Sequence, residues 1–166
     1  MMRLMAVVLA AAMLLPMAAG QAAEAFSDPK ALVTAIFEGY GPGRAAGDPT
    51  AYYSPRLKAI FDQAVENKVF TDDNAMKGEQ FTPAAVFNPF LPDASALLFD
   101  LAIGEPTTLD DRSVVNVSYH NFDQPRLLSI AMVRENGNWL VDDVASLGKE
   151  DHWLLSWALT YDQLGF

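Results

Sequence analysis

The 166-residue chain contains no cysteine. That absence removes a disulfide scaffold, a zinc ribbon and a cysteine nucleophile together. Histidine is nearly missing as well: His120 and His152 stand far apart in the chain, which is no metal-ligand spacing. Cations are few, with eleven Lys and Arg against twenty-one Asp and Glu and a formal net charge of -10, and they form no run longer than a spaced pair. Nucleic acid and anionic lipid are therefore poor partners, while basic or cationic partners stay open. Glycine-rich phosphate cradles are absent too, since Gly41-Pro42-Gly43 is too short and carries Pro where N–H donors are needed. Ser118 and Ser129 sit in strand-like segments without a Gly-x-Ser-x-Gly elbow, so a serine hydrolase has no support.

Residues 1–25 also lack something: every aromatic residue lies beyond them, and Arg3 is their only charge before Glu24. Between those charges runs an apolar stretch of twelve, Leu4 to Leu15, closed by Pro16. As a helix it reaches about 18 Å at about 1.5 Å per residue, short of the roughly 30 Å hydrocarbon core a permanent anchor crosses. We read it as a cleaved secretory signal peptide. Cleavage after Gly20, Ala22, Ala23 or Ala25 suits the small residues that follow, and Ala23-Glu24-Ala25 is the literal A-x-A match. No Cys follows the run to take a lipid, so the expected product is periplasmic or secreted, without a stable membrane anchor. Of the first 25 residues 20 are apolar, and the other 141 have an ordinary soluble composition and suffice for one domain, residues 26–166.

Within that domain two helices come first. Ser27 or Asp28 before Pro29 starts one, with Leu32, Val33, Ile36 and Phe37 at helical spacing and Gly41-Pro42-Gly43 ending it. A turn at Gly47-Asp48-Pro49 leads to Ser54-Pro55, which repeats the signal ahead of Leu57, Ile60, Phe61, Ala64 and Val65. From Phe70 to Asp93 no period holds; Phe81, Phe87, Phe90 and Leu91 imply a long connection that lies along the domain. Then the period changes to two. A strand region at 96–109 is broken by Gly104 and Pro106, and strands follow at 113–122, 126–135 and 139–144. Turns at Asp110-Asp111, Asp123-Gln124-Pro125 and Asn136-Gly137 join them into a four-stranded antiparallel meander. His152 to Leu164 reads as a last helix, with Trp153, Leu154, Trp157, Ala158 and Tyr161 on one stripe. Helices followed by a meander define an α+β domain with helices on one face of the sheet.

Asn136-Gly137-Asn138-Trp139-Leu140-Val141-Asp142-Asp143-Val144 resembles the closing hairpin of nuclear transport factor 2-like domains, where a Gly-x-Trp-x-Ile-x-Asp-Ile pattern forms the last strand. The likeness covers Phe26 to Leu147 and includes Tyr52-Tyr53-Ser54-Pro55-Arg56-Leu57 and Asn88-Pro89-Phe90. More narrowly, the chain resembles a family of exported bacterial proteins of unknown function with this cone-shaped fold (SnoaL-like or cystatin-like). The Trp-bearing last helix departs from that pattern and could pad the open sheet face or carry an interface.

Few residues are candidates for chemistry. In 113–122, Val115, Val117 and Tyr119 share one face, the core, and His120 lies on the polar face toward solvent or the mouth of the sheet. Enzymes of this fold need such a base inside the cone against a carboxylate, so His120 is a weak catalytic candidate. His152 reads as a surface residue near the start of the last helix. Asp72-Asp73 and Asp110-Asp111 fit turn chemistry, and the first lacks the spacing of a calcium loop. Asp142-Asp143 differs, because adjacent strand residues face opposite ways unless a bulge intervenes. Alternation groups Asp143 with Trp139 and Val141, which makes it the catalytic candidate if burial raises its pKa, with a structural hydrogen bond to a loop N–H as the plainer role. Tyr40, Tyr52, Tyr53 and Trp139 either close a core or line a pocket, and Tyr40, Tyr53 and Trp139 are the pocket candidates.

These features imply no metal and no cofactor. Three functions remain. The first is a non-enzymatic exported module binding a small molecule or a protein. The second is a cofactor-free isomerase or dehydratase using Asp143 with a Tyr or His, which rests on fold analogy. The third is an envelope interaction or immunity-type protein working through the long connection or the last helix.

Overall fold

The computed structural model describes residues 25–40, 47–67, 88–91, 98–148 and 152–161. The expected signal segment, Asp72-Asp73, Phe81 and Phe87 lie outside the described residues. No described helix is long and apolar enough to cross a membrane.

Helix α1, Pro29–Glu38, begins where the sequence places it: the Asp28 carboxylate accepts from the Ala31 N–H at 2.8 Å, and Pro29 fills the first turn, where no N–H is needed. Its buried stripe is Leu32, Val33, Ile36 and Phe37. The expected turn at Gly47-Asp48-Pro49 opens a short 3₁₀ helix, Pro49–Tyr52, capped by Asp48. Helix α2, Pro55–Glu66, has Ser54 as its cap, accepting from the Leu57 N–H at 3.1 Å. It buries Leu57, Phe61 and Ala64 and exposes Arg56, Lys58, Asp62 and Glu66.

Among the described residues the sheet is antiparallel and has six strands rather than the four expected. They are β1 (Leu98–Ile103), β2 (Thr107–Leu109), β3 (Arg112–Asn121), β4 (Gln124–Glu135), β5 (Asn138–Leu147) and β6 (His152–Leu154), in the order β1-β3-β4-β5-β6 with β2 also on β3. The expected first strand region becomes two strands on the same edge of β3, divided at Gly104. There the chain runs so close to β3 that a Cβ on residue 104 would lie 3.0 Å from the Asn116 carbonyl oxygen, so any other residue would have to push the β3 backbone aside. The β4–β5 hairpin turns at Asn136 and Gly137 with φ of 50° and 85°, the left-handed pair that matches strand twist. The second extra strand, β6, uses residues expected to be helical. Helix α3 therefore starts at Leu155, and its described residues are Leu155–Tyr161.

Alternation in β3 places Val115, Val117 and Tyr119 in the core and exposes Val114, Asn116, Ser118 and His120. The core forms between this sheet face and α1 and α2, with Phe90 from the long connection and Leu155 and Leu159 from α3. Asn88 docks that piece of connection: its side-chain carbonyl accepts from the Phe90 N–H at 3.0 Å, and the Phe90 carbonyl accepts from the Tyr119 hydroxyl at 3.3 Å.

Candidate functional site

Of the two roles open to these aromatic residues, Tyr53 and Trp139 take the core one, and Tyr40 packs partly buried against it. Trp139 and Tyr53 are 4% and 5% exposed. The Tyr53 ring meets Phe61 edge-on with centroids 5.9 Å apart, and Phe37 meets Phe90 and Tyr119 at 6.3 and 6.2 Å, the separations of packed aromatic pairs. The Tyr53 hydroxyl has no hydrogen-bond partner among the described residues. Burial pushes its pKa far above the usual range for a phenol, with the neighbouring Tyr40 and Asp48 adding to the shift. Tyr40 is half-buried; burial outweighs a hydrogen bond from Asn88 Nδ2 at 2.8 Å and raises its pKa to about 12. Both phenols are neutral at physiological pH and serve as apolar bodies.

The acidic pair Asp142-Asp143 sits on a β-bulge. Ile130 pairs with Val144, Ala131 with Asp143 and Met132 with Val141, so Asp142 is the extra residue. One inserted residue reverses the alternation beyond it. Asp143 consequently shares a face with Ala131, not with Trp139 and Val141 as strict alternation required. Its carboxylate accepts from the Val144 N–H at 2.9 Å, the Ser156 N–H at 3.0 Å and the Ser156 hydroxyl, which ties the start of α3 to β5. Those donors occupy the oxygens that acid–base work would use.

Asp142 is the more deeply placed of the two. It accepts from the Ser54 hydroxyl at 2.7 Å, Arg56 Nε at 3.0 Å and an Arg112 terminal nitrogen at 3.0 Å, while Arg56 also reaches the Asp142 carbonyl. Burial alone would raise its pKa, but the hydrogen bonds from Arg56 and Ser54 and the charges of Arg56 and Arg112 outweigh that and hold it below the usual carboxylate value. The backbone completes the joint, since the Ser54 N–H donates to the Val141 carbonyl at 2.7 Å. Asp142 and Asp143 thus anchor the starts of α2 and α3 to the same bulge.

His120 lies apart from this joint, 47% exposed, with Nδ1 3.6 Å from a carboxylate oxygen of the exposed Asp100. It faces away from the core, as alternation predicts. The exposed His152 lies in β6, and the described residues contain no group of three His, Asp or Glu that could hold a metal ion.

Where the sheet meets α3, a cleft of about 470 Å³ opens. The end of β5 contributes Ala145, Ser146 and Leu147, β6 contributes His152, Trp153 and Leu154, and α3 contributes Trp157 and Ala158. The last-helix stripe divides here, and that division makes the cleft. Trp153 is in a strand and packs against the core, while α3 buries Leu155, Ala158 and Leu159, an i, i+3, i+4 set. Trp157 and Tyr161 are left on the other side of the helix, 52% and 58% exposed, with ring centroids 4.4 Å apart. Leu147 and Leu154 are exposed beside them. Helical spacing alone puts both tryptophans on one stripe; the competing Leu155, Ala158 and Leu159 spacing is the signal that separates them.

Comparison of the chain with family models, with curated proteins and with solved structures finds no match in any of the three.

Proposed function

We propose that this is an exported, non-enzymatic binding module with a cone-shaped, nuclear transport factor 2-like fold, and that it holds a small, largely apolar ligand in the cleft between β5, β6 and α3. The cleft itself carries the reading. Its volume of about 470 Å³ falls within the range of small-molecule sites, about 300–1,000 Å³, and among the described residues its lining joins two indoles and two leucines to the polar side chains of Ser146 and His152. Supporting it is the state of the other candidates. Tyr53 and Trp139 are spent on packing, Asp143 is occupied by three donors, and His120 stands on the opposite side of the sheet from the core. Those positions favour binding over the isomerase or dehydratase alternative.

Titration with the neutral apolar fluorophore N-phenylnaphthylamine tests the site. Wild-type protein is expected to bind it, and the pair of substitutions Trp157→Ala and Leu154→Ser to weaken binding about tenfold or more, since each removes exposed apolar surface worth on the order of 1 kcal/mol or more. The urea midpoint should stay unchanged, because both side chains are about half-exposed. Binding that survives both substitutions, or is absent from wild-type protein, overturns the assignment of the cleft.

A further inference from the structure

Granted the reading of the cleft as a binding site, its two walls are held to the same strand, β5, by different means. The β6 wall is fixed by the ladder itself, with Leu154 opposite Ala145, Trp153 opposite Ser146 and His152 opposite Leu147. The α3 wall, Trp157 and Ala158, belongs to a helix that begins at the residue after β6, so side chains set its place. Leu155 and Leu159, 0% and 2% exposed, hold the inner face of α3 in the core. Apolar contact is non-directional, so it fixes the depth of a helix better than its rotation. At a side-chain radius of about 5–6 Å, a rotation of about 10° carries the outer face of a helix by about 1 Å. That exceeds the roughly 0.5 Å to which a binding constellation has to be held.

We propose that Asp143 is a positioning residue for the cleft: it sets the rotation of α3, and so the place of Trp157, without itself lining the cleft. Its Oδ1 accepts from the Ser156 N–H at 3.0 Å, a first-turn donor with no partner inside the helix, and its Oδ2 accepts from the Ser156 hydroxyl. Trp157 is the next residue. The Val144 N–H, donating to the same Oδ1 at 2.9 Å, holds the carboxylate against β5. Arg56 approaches Oδ2 at 3.9 Å and, being about half-exposed, adds little to the tie. The bulge is what aims the carboxylate. In a strand of regular alternation Asp143 would share the face of Val141 and Trp139, and the extra residue Asp142 turns it toward α3 instead. Re-aiming a side chain beside a site is a recurrent use of bulges.

The same bulge supplies the control. Asp142→Ala leaves the strand its extra residue and loosens the start of α2, whereas Asp143→Ala releases α3. N-phenylnaphthylamine is titrated into each variant of the full chain where circular dichroism shows it folded, and the Trp157 indole N–H is followed by NMR. Asp143→Ala is expected to weaken binding about tenfold and to move the Trp157 resonance, while Asp142→Ala leaves affinity within about twofold of wild type. Ser156→Ala, which removes only the hydroxyl bond, should lose about threefold. Asp143→Asn keeps Oδ1 for both N–H groups and offers Nδ2 to the Ser156 oxygen, so it should bind within about twofold of wild type. Wild-type affinity in Asp143→Ala, or equal losses in Asp142→Ala and Asp143→Ala, overturns the positioning role and leaves the cleft standing. Wild-type affinity in Ser156→Ala overturns it as well, and decides the matter where Asp143→Ala fails to fold. A probe that does not bind the wild-type protein overturns the cleft and this role together.

Discussion

Two aromatic groups, one at the heart of the domain and one at its C-terminal edge, have similar composition and opposite fates. Phe37, Tyr53, Phe61, Phe90, Tyr119 and Trp139 are buried and arranged ring against ring between the sheet and α1 and α2. Trp157 and Tyr161 are about half-exposed on α3, with ring centroids 4.4 Å apart. Residue type does not separate the groups. What does is the number of elements that converge on each: α1, α2, β3, β4 and β5 surround the first, while α3 buries Leu155 and Leu159 and presents the second outward. A ring enclosed on all sides is stability, and a ring beside a cleft is available surface.

The sharpest way to break that contrast is truncation. Phe61→Ala should cost about 3–5 kcal/mol in urea unfolding, because it removes a buried ring and leaves a cavity against Tyr53. Trp157→Ala removes a larger side chain yet should shift stability by no more than about 0.5 kcal/mol. Equal losses at the two positions would mean that the C-terminal rings belong to the core after all.

The joint between the two groups is next in size. Asp142 holds the Ser54 cap of α2 through β5, and Asp143 beside it holds Ser156 of α3. Asp142→Ala should cost about 1–3 kcal/mol near neutral pH, chiefly by leaving the buried Ser54 hydroxyl without its acceptor. The pairs with the half-exposed Arg56 and Arg112 contribute less, being screened by solvent. The folded pKa of Asp142 lies below its unfolded value, about 3.9. Its contribution is therefore complete above about pH 4 and lost as pH falls through the folded pKa. Unfolding curves at several pH values should show the gap between wild type and Asp142→Ala closing below about pH 4. A gap independent of pH would mean that the carboxylate charge plays no part.

The two groups were not equally legible in the sequence. Everything that depends on neighbours in the chain could be read directly: the Asp28-Pro29 and Ser54-Pro55 helix starts, the Asn136-Gly137 turn and the alternation of β3 that turns His120 outward. The placement of Asp143 could not be read, because a bulge is set by pairing with β4, and Ala131 and Met132 are distant in sequence. Nor could β6, whose three residues are strand only because the edge of β5 receives them at Ala145, Ser146 and Leu147. That borrowed edge delays the start of α3 to Leu155 and brings Leu155, Ala158 and Leu159 inward. The choice between core and pocket for Tyr40, Tyr53 and Trp139 stayed open for the same reason: aromatic content is visible in a sequence, but whether other elements fill the space around it is a tertiary fact.

The smallest expected effect probes the interior most directly. Tyr53 is almost fully buried, and its hydroxyl meets no partner among the described residues. A buried O–H without a partner retains its desolvation cost, so deleting it should do no harm. Tyr53→Phe keeps the ring and its edge contact with Phe61 and should change stability by less than about 1 kcal/mol, in the stabilising direction. Affinity for N-phenylnaphthylamine should not change, because the cleft lies elsewhere. A loss of more than about 1 kcal/mol would reveal a bound water or ligand atom satisfying the phenol, and a loss of probe affinity would return the binding site to the interior. The same substitution thus separates a ring that serves only as core from one that a ligand reads.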